Sequence, residues 1–481
     1  LILGGLSAWL VSTCDFPGRK WLSWALIMPL AIPSYIAAYT WAGILGFTGP
    51  VQRTLRDWLG SNAPHIDIMH LPGVAMILAL VLYPYVYLVG RAAFQRQSRS
   101  LWEAARLLGQ SPWQAFWRVA LPLARPALVA GLALVLMEIL NDYGAVQYFG
   151  VRTFTTGIFR AWFSLGDTDA AIRLSGFLLA AVGLLLFLER RQRGRSQTRE
   201  SEAKYTPWQR IRLNGWQAAG ASLVCLIPVL FGFAIPVLQL LAWAAKEAGK
   251  GMDMPLATWT WHGFLMAASA SILCAGTALI LIFAKRLGSL QGWASQWLSR
   301  LAVIGYAVPG AVIAIGVFLP MTRLNEAVIN TYANWGLDSP GLFLHELYIT
   351  LLLGYLIRFL AVAYHPLESG FDKINPRLEA SARLLGARPW RLFWKIDLPL
   401  LKSSLMAAML MVFIDVLKEL PLTLILRPFN YNSLATRAFD LASEEQLAES
   451  ALPALIIILT ALVPTLLLNR VSQSSASSQG T

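Results

Sequence analysis

Long apolar stretches recur through this chain, and no other feature restricts its fold so severely. They centre on residues 1 to 12, 24 to 45, 73 to 90, 127 to 141, 172 to 188, 217 to 243, 263 to 284, 301 to 319, 347 to 364, 404 to 424 and 451 to 469. In lipid every backbone polar group must be satisfied within its own segment, so stretches of this kind fold as helices. Crossing the hydrocarbon takes about 20 residues. Most of the eleven reach that length, but the first does not, and the chain starts at Leu1 without the basic residues that open a signal peptide. We therefore expect missing N-terminal residues and an all-α, polytopic transmembrane bundle with about 11 helices in this sequence.

Composition excludes the main alternative. Hydrophobic residues make up 57% of the chain and charged ones 14%, against about 45–50% and about 25% in soluble domains. The net charge of +13 would suit nucleic acid, but the basic residues lie in short runs between apolar segments, where the positive-inside rule puts them. Lipid, not nucleic acid, is the expected partner. Cys14, Cys225 and Cys274 form no close pair, and the five histidines are scattered. No disulfide framework or metal site is encoded.

Orientation follows from alternate loops. Arg19 and Lys20, Arg91 to Arg125, Arg190 to Arg212, Lys285 to Arg300 and Lys373 to Lys402 hold most of the basic residues, which places them on the cytoplasmic side. Loops 46 to 72, 142 to 171, 320 to 346 and 425 to 450 then face outward. Residues 190–215 read as a cytoplasmic linker, polar and Arg-rich at their start. That linker separates residues 1–189 from 216–470, with a polar tail at 471–481.

The two halves repeat each other. Ala105-Arg106-Leu107-Leu108-Gly109, followed by Pro112-Trp113, matches Ala382-Arg383-Leu384-Leu385-Gly386, followed by Pro389-Trp390, at a separation of 277 residues. Phe116-Trp117 and Leu121-Pro122 recur as Phe393-Trp394 and Leu398-Pro399 at the same separation, and Pro33 recurs as Pro309. Both copies lie on the basic side. This is a parallel duplication about an axis along the membrane normal, with a pathway expected between the halves.

Each repeated loop reads as two short helices joined at a glycine. Gly109 can take the left-handed conformation that ends a helix; Ser111 then caps the next one, with Pro112 at its first position and Gln114 completing a capping box. Trp113, Phe116 and Trp117 share one face, and Leu121-Pro122 is expected to stop the helix. In the second loop Asn375 and Pro376 start the first helix, whereas Arg388 replaces the capping serine and leaves that junction less firmly capped.

The pattern Glu103-Ala104-Ala105, Gly109, Leu121-Pro122 resembles the EAA loop of permease subunits in binding-protein-dependent ABC importers. In the second copy, with Ala382, Gly386, Pro389, Leu398 and Pro399, the acid is shifted to Glu379. The resemblance implies two tandem type I permease repeats of a twelve-helix fold, whose missing helix would be the first, with much of the second. It also implies that these loops seat on ABC ATPase subunits, two copies of them. A periplasmic substrate-binding protein would deliver cargo at the inner membrane. Asp142-Tyr143-Gly144, Gln147 to Val151, Phe154 to Ile158, Asp415 to Pro421 and Leu434 to Arg437 further resemble ferric-iron importer permeases. The chain has no GxxxxGK[ST] phosphate loop. The expectation is a transport subunit that binds no cofactor and hydrolyses no ATP, with Mg-ATP used by its partner.

Charges at membrane depth are costly and usually functional. Glu138 and Asp142 stand at i and i+4, and Asp415 and Glu419 stand 277 residues further on with the same spacing. Each pair is therefore expected to lie on one helical face. With Tyr143 and Tyr148 they are hard oxygen donors suited to a hard cation, and so candidates for the substrate route. Salt bridges for gating or packing, through Lys418, Arg427 or Arg437, are the competing role. The leading function is an iron(III) importer permease. Thiamine is the runner-up cargo, polyamine or sulfate stand further off, and a secondary transporter is the reading from a different class.

Overall fold

The computed structural model describes all residues except 61–62, 98–104, 106, 195–209, 249–254, 287–296, 298–301, 339–340, 342, 347 and 478–481. Among the described residues, eight helices are long and apolar enough to cross a membrane, the first being Leu71–Arg96 and the last Pro389–Lys418. A ninth candidate is the pair Arg19–Ala31 and Ser34–Leu59, bent by 94°. Two shorter apolar helices, Ile2–Thr13 and Leu447–Leu462, account for the remaining stretches.

The bend has a local cause that recurs. Pro33 follows the 3-10 turn Met28–Ala31 and precedes the helix Ser34–Leu45; Pro309 follows Gly305–Ala307 and precedes Gly310–Asn334. Proline disfavours helical backbone in the residue before it, and Ile32 and Val308 are accordingly extended.

The chain forms two compact units. One comprises Leu1–Thr156, Ala180–Lys250 and Glu445–Asn469; the other comprises Gly157–Leu179, Gly251–Glu444 and Arg470–Thr481. In the first unit the helices Ile2–Thr13, Leu71–Arg96 and Leu121–Asn141 pack together around Ala8, Val11, Val86, Tyr87 and Leu128. In the second, Leu256–Arg286, Ile349–Asp372 and Leu398–Lys418 do the same.

Lipid offers no hydrophobic drive to bring helices together, so contact depends on close approach and interhelical hydrogen bonds. Ala267, Ala270, Ser271, Cys274, Ala275 and Ala278 form a buried stripe of small residues at helical spacing along Leu256–Arg286. Within it the Ser271 hydroxyl donates to the Met409 carbonyl at 2.7 Å, a bond worth about 0.6 kcal/mol on average between membrane helices.

The linker is more ordered at its ends than its composition implies. The helix Thr168–Gly194 runs on past its expected end at residue 189. Ile211–Arg212 pairs as a parallel two-residue strand with Cys14–Asp15. The Leu213 amide continues that pairing to the Asp15 carbonyl at 3.0 Å.

Candidate functional site

Both repeated loops turn at their glycine. Gly109 has φ +74° and Gly386 φ +81°, in the left-handed region that glycine enters without cost. The Gln110 amide donates to the Ala105 carbonyl at 3.1 Å and the Ala387 amide to the Ala382 carbonyl at 3.0 Å, the long closing bond of a Schellman ending in each copy.

Past the glycine, the Ser111 and Gln114 side chains each accept the other's backbone N–H, at 3.3 and 3.0 Å, which is the capping box the spacing requires. Pro112 opens the helix that follows. In the second copy Pro389 does so after Arg388, whose side chain makes no cap bond, whereas Asn375 accepts from the Arg377 amide at 3.0 Å.

Leu-Pro does not stop either helix, contrary to the sequence expectation. Phe116–Ala120 and Phe393–Asp397 are single π turns, and the helices continue as Leu121–Asn141 and Leu398–Lys418. The Leu121 amide reaches back five residues to the Phe116 carbonyl, and Leu398 likewise to Phe393. Pro122 and Pro399 lack an N–H and their rings crowd the preceding turn. A wider turn makes the room that an α turn denies.

The same two turns anchor the loops. The Phe116 ring lies 4.7 Å from that of Trp9, and the Phe393 ring lies 4.7 Å from that of Phe283. Ala105 and Ala382 are buried as well. The loops' apolar excess points the other way: Leu107, Leu108, Leu384 and Leu385 are each at least 80% exposed, and Trp117 and Trp394 about half. Sequence reasoning counted those leucines as part of the repeat and missed their exposure. The signal was their place in the last turn before a left-handed glycine, on the side away from Ala105 and Ala382. Glu103 and Ala104 lie outside the described residues. Glu379 sits within the helix Pro376–Leu384.

The paired acids do not share a helical face, because each helix ends between its two members. Leu121–Asn141 stops one residue before Asp142, and Leu398–Lys418 one residue before Glu419; both acids have extended backbone. Each second acid instead caps the short helix that follows. The Asp142 carboxylate accepts from the Ala145 and Val146 amides at 3.0 and 3.2 Å, and from the Ser34 hydroxyl. The Glu419 carboxylate accepts from the Leu422 and Thr423 amides, both at 3.0 Å, and from the Thr423 hydroxyl at 2.9 Å. Both carboxylates are buried and well supplied with donors from the chain.

The copies differ in one respect. Where the first has Ser34, the second has Gly310, and the Arg358 guanidinium fills the space, 3.9 Å from Glu419 and donating to the Val308 carbonyl at 3.2 Å. A Cβ on Gly310 would stand 2.9 Å from the Glu419 carboxylate and 3.1 Å from the guanidinium.

The first members of the pairs remain on their helices. Glu138 is half-buried, and Asp415 pairs with Lys418 at 2.8 Å. Tyr143 and Tyr148 are half-buried, the latter with its ring 6.2 Å from that of Tyr39. Of the cations expected near these acids, Lys418 pairs with Asp415, Arg427 bonds Asp440 at 3.3 Å, and Arg437 lies over Trp259.

These features define a class: a multi-pass helical membrane protein whose two repeats each carry a hairpin turned at a left-handed glycine, with exposed leucines, on the basic side. The family model for the inner membrane component of binding-protein-dependent transport systems matches residues 1–189 and 276–476. The chain belongs to that family. It is 26% identical over 97% of its length, and 86% of the relative's, to an Fe(3+)-transport system permease protein of Haemophilus influenzae. A probable ABC transporter permease of Sinorhizobium fredii is 25% identical over 95% of this chain and 82% of its own. A sulfate transport system permease of Escherichia coli is 31% identical over 39% of this chain and 67% of its own. Family membership makes the chain a membrane-spanning subunit of an importer that works with an ATPase and a binding protein.

Proposed function

We propose that this chain carries iron(III) across the bacterial inner membrane. The cargo comes from a periplasmic binding protein, and the energy from two ATPase subunits seated on the two hairpins. The observation that carries the reading is the full-length similarity to an Fe(3+)-transport permease, through both repeats. The sulfate relative, by contrast, covers 39% of the chain. Charge supports the same choice at Glu138, a carboxylate that attracts a hard cation and repels an oxyanion, whereas Asp415 is already paired with Lys418.

On this reading Gly109 and Gly386 set the angle at which each hairpin meets an ATPase. Leu107, Leu108, Leu384 and Leu385 supply the apolar contact, and Glu103 and Glu379 a charged one. The basic side faces the cytoplasm. Glu138, Tyr143 and Tyr148 line the route in the first repeat, Asp415 being held by Lys418, while Asp142 and Glu419 act indirectly by fixing the helix break in each repeat. The ion passes by weak, successive contacts, since a tight site would not release it. The chain itself binds no nucleotide; Mg-ATP is consumed by the partner.

The test is uptake into vesicles holding this chain, its ATPase and its binding protein. Iron uptake that requires ATP is the expected result. Uptake of thiamine, polyamine or sulfate in place of iron would overturn the cargo. Uptake that persists on an ion gradient after ATP is removed would make the chain a secondary transporter.

A further inference from the structure

The helix Pro50–Leu59, which the transport reading leaves unused, is fastened to the protein by the wrong face for an element surrounded by water. Val51, Leu55, Trp58 and Leu59 fall at i, i+4, i+7 and i+8, one apolar stripe, with Arg53, Thr54 and Asp57 opposite. A short amphipathic helix in water turns such a stripe inward. Here none of the four is buried: Trp58 is 82% exposed and Leu59 54%.

The residue this helix buries is a polar one. Gln52 is 2% exposed; its amide nitrogen donates to the Pro64 carbonyl at 2.9 Å, and its oxygen accepts from the Ile66 amide at 3.3 Å. Arg56 secures the preceding turn by donating to the Phe47 carbonyl at 2.7 Å, with its guanidinium 4.0 Å from the Phe47 ring centroid. Polar groups thus hold the helix in place and leave the end of its apolar stripe, Trp58 and Leu59, facing out, with Val51 and Leu55 half-buried.

The tether through Gln52 fixes the level at which this happens. It ends at Ile66, just before the span Leu71–Arg96. The exposed apolar surface of that span starts at Leu71 and continues through Met76, with Met69 exposed just before it, while Phe47 is exposed next to the short helix, under Arg56. The short helix is thus tied to the segment that leads directly into a membrane helix, at the level where such a helix leaves the hydrocarbon. Trp at this level and an exposed Arg53 within reach of phosphate are the residues that membrane interfaces favour.

We propose that Pro50–Leu59 lies in the plane of the membrane, with Trp58 and Leu59 seated at the boundary between lipid headgroups and acyl chains. There it holds the depth of Ser34–Leu45, the helix that leads into it. The inference needs neither the cargo nor the ATPase.

The test uses the full chain in phosphatidylcholine and phosphatidylglycerol vesicles, with an environment-sensitive fluorophore on Trp58→Cys or, on the polar side, Asp57→Cys. The three native cysteines are buried. Lipids carrying a quencher near the headgroup should quench the Trp58 label about threefold more than the Asp57 label, and aqueous iodide should show the reverse order. Leu59→Cys should repeat the Trp58 result, and serves if that variant folds poorly. Equal iodide quenching at positions 57 and 58 would overturn the proposal by placing the stripe in water. Iodide quenching at Trp58 that is lost only on adding the binding protein would assign the face to that protein instead. Stronger quenching from the acyl-chain end than from the headgroup would mean an inserted segment, not an interfacial one.

Discussion

The hairpin glycines allow a test in which backbone conformation can be separated from side-chain size. Gly109 and Gly386 sit at φ +74° and +81°, and a Cβ at either would meet nothing within 4 Å. Any penalty for a side chain there is therefore conformational, not steric. Left-handed backbone costs an ordinary L-residue about 1–2 kcal/mol, a shift of roughly 5- to 30-fold in the population of the native turn. Valine, branched at Cβ, belongs at or above the upper end, whereas asparagine, of similar size, enters this region readily. Gly109→Val and Gly386→Val should each lower binding-protein-stimulated ATPase activity in vesicles roughly tenfold or more, and weaken co-purification with the ATPase. The Gly→Asn counterparts should stay within about threefold of the parent. If asparagine proved as damaging as valine, size would be the cause and the left-handed turn would not matter. Normal coupling in a double Gly→Val variant would remove the case that these hairpins couple at all.

Other outcomes follow from the same geometry. Arg358→Ala leaves the Glu419 carboxylate buried without its cation and should cost about 3–5 kcal/mol in denaturant titration. Gly310→Ala, which presses on the same pair, should also destabilise. Asp142→Asn and Glu419→Gln exchange a charged acceptor for a weaker one that also presents an N–H, and should lower thermal stability while leaving the cargo preference of residual uptake unchanged. A changed preference would instead put those two acids in the route. Arg388→Ser supplies the cap that the second hairpin lacks and should raise stability by about 0.5–1 kcal/mol, measured by thermal unfolding. A cysteine in place of Gln197 should react with impermeant reagents only after vesicles are opened to the cytoplasmic side; labelling from outside intact cells would invert the topology.

What the sequence made legible was local or periodic. Eight of the eleven apolar stretches emerged as single span-length helices among the described residues because span length is written in consecutive residues, while one is bent and two are shorter. The Ser111–Gln114 box and the turn at Gly109 emerged because caps depend on residues a few positions apart. The helix breaks before Asp142 and Glu419 were hidden by apolar patterns that run on unbroken, although Gly144 and Pro421, each the first residue of the next short helix, were a readable hint. The π turns before Pro122 and Pro399 carried no such signal, since wider hydrogen bonding follows from a ring clash inside a helix that packing otherwise sustains. Likewise the Arg358 link to Glu419 joins residues far apart in sequence and replaces a serine with a glycine, so the repeat concealed it.

Assembly of the first unit from distant segments has a consequence for biosynthesis. Residues Glu445–Asn469 belong with Leu1–Thr156 and Ala180–Lys250, and Leu447 closes over the notch that Gly43 leaves beside Trp243. A ribosome adding about 5–20 residues per second needs roughly 10 to 45 seconds to pass from Lys250 to Asn469. For that interval the Gly43 notch stays open within the bilayer, exposed to membrane chaperones and proteases. A premature stop after the second hairpin would strand the earlier half unfinished as surely as the later one, because the segment that completes the first unit is made after both.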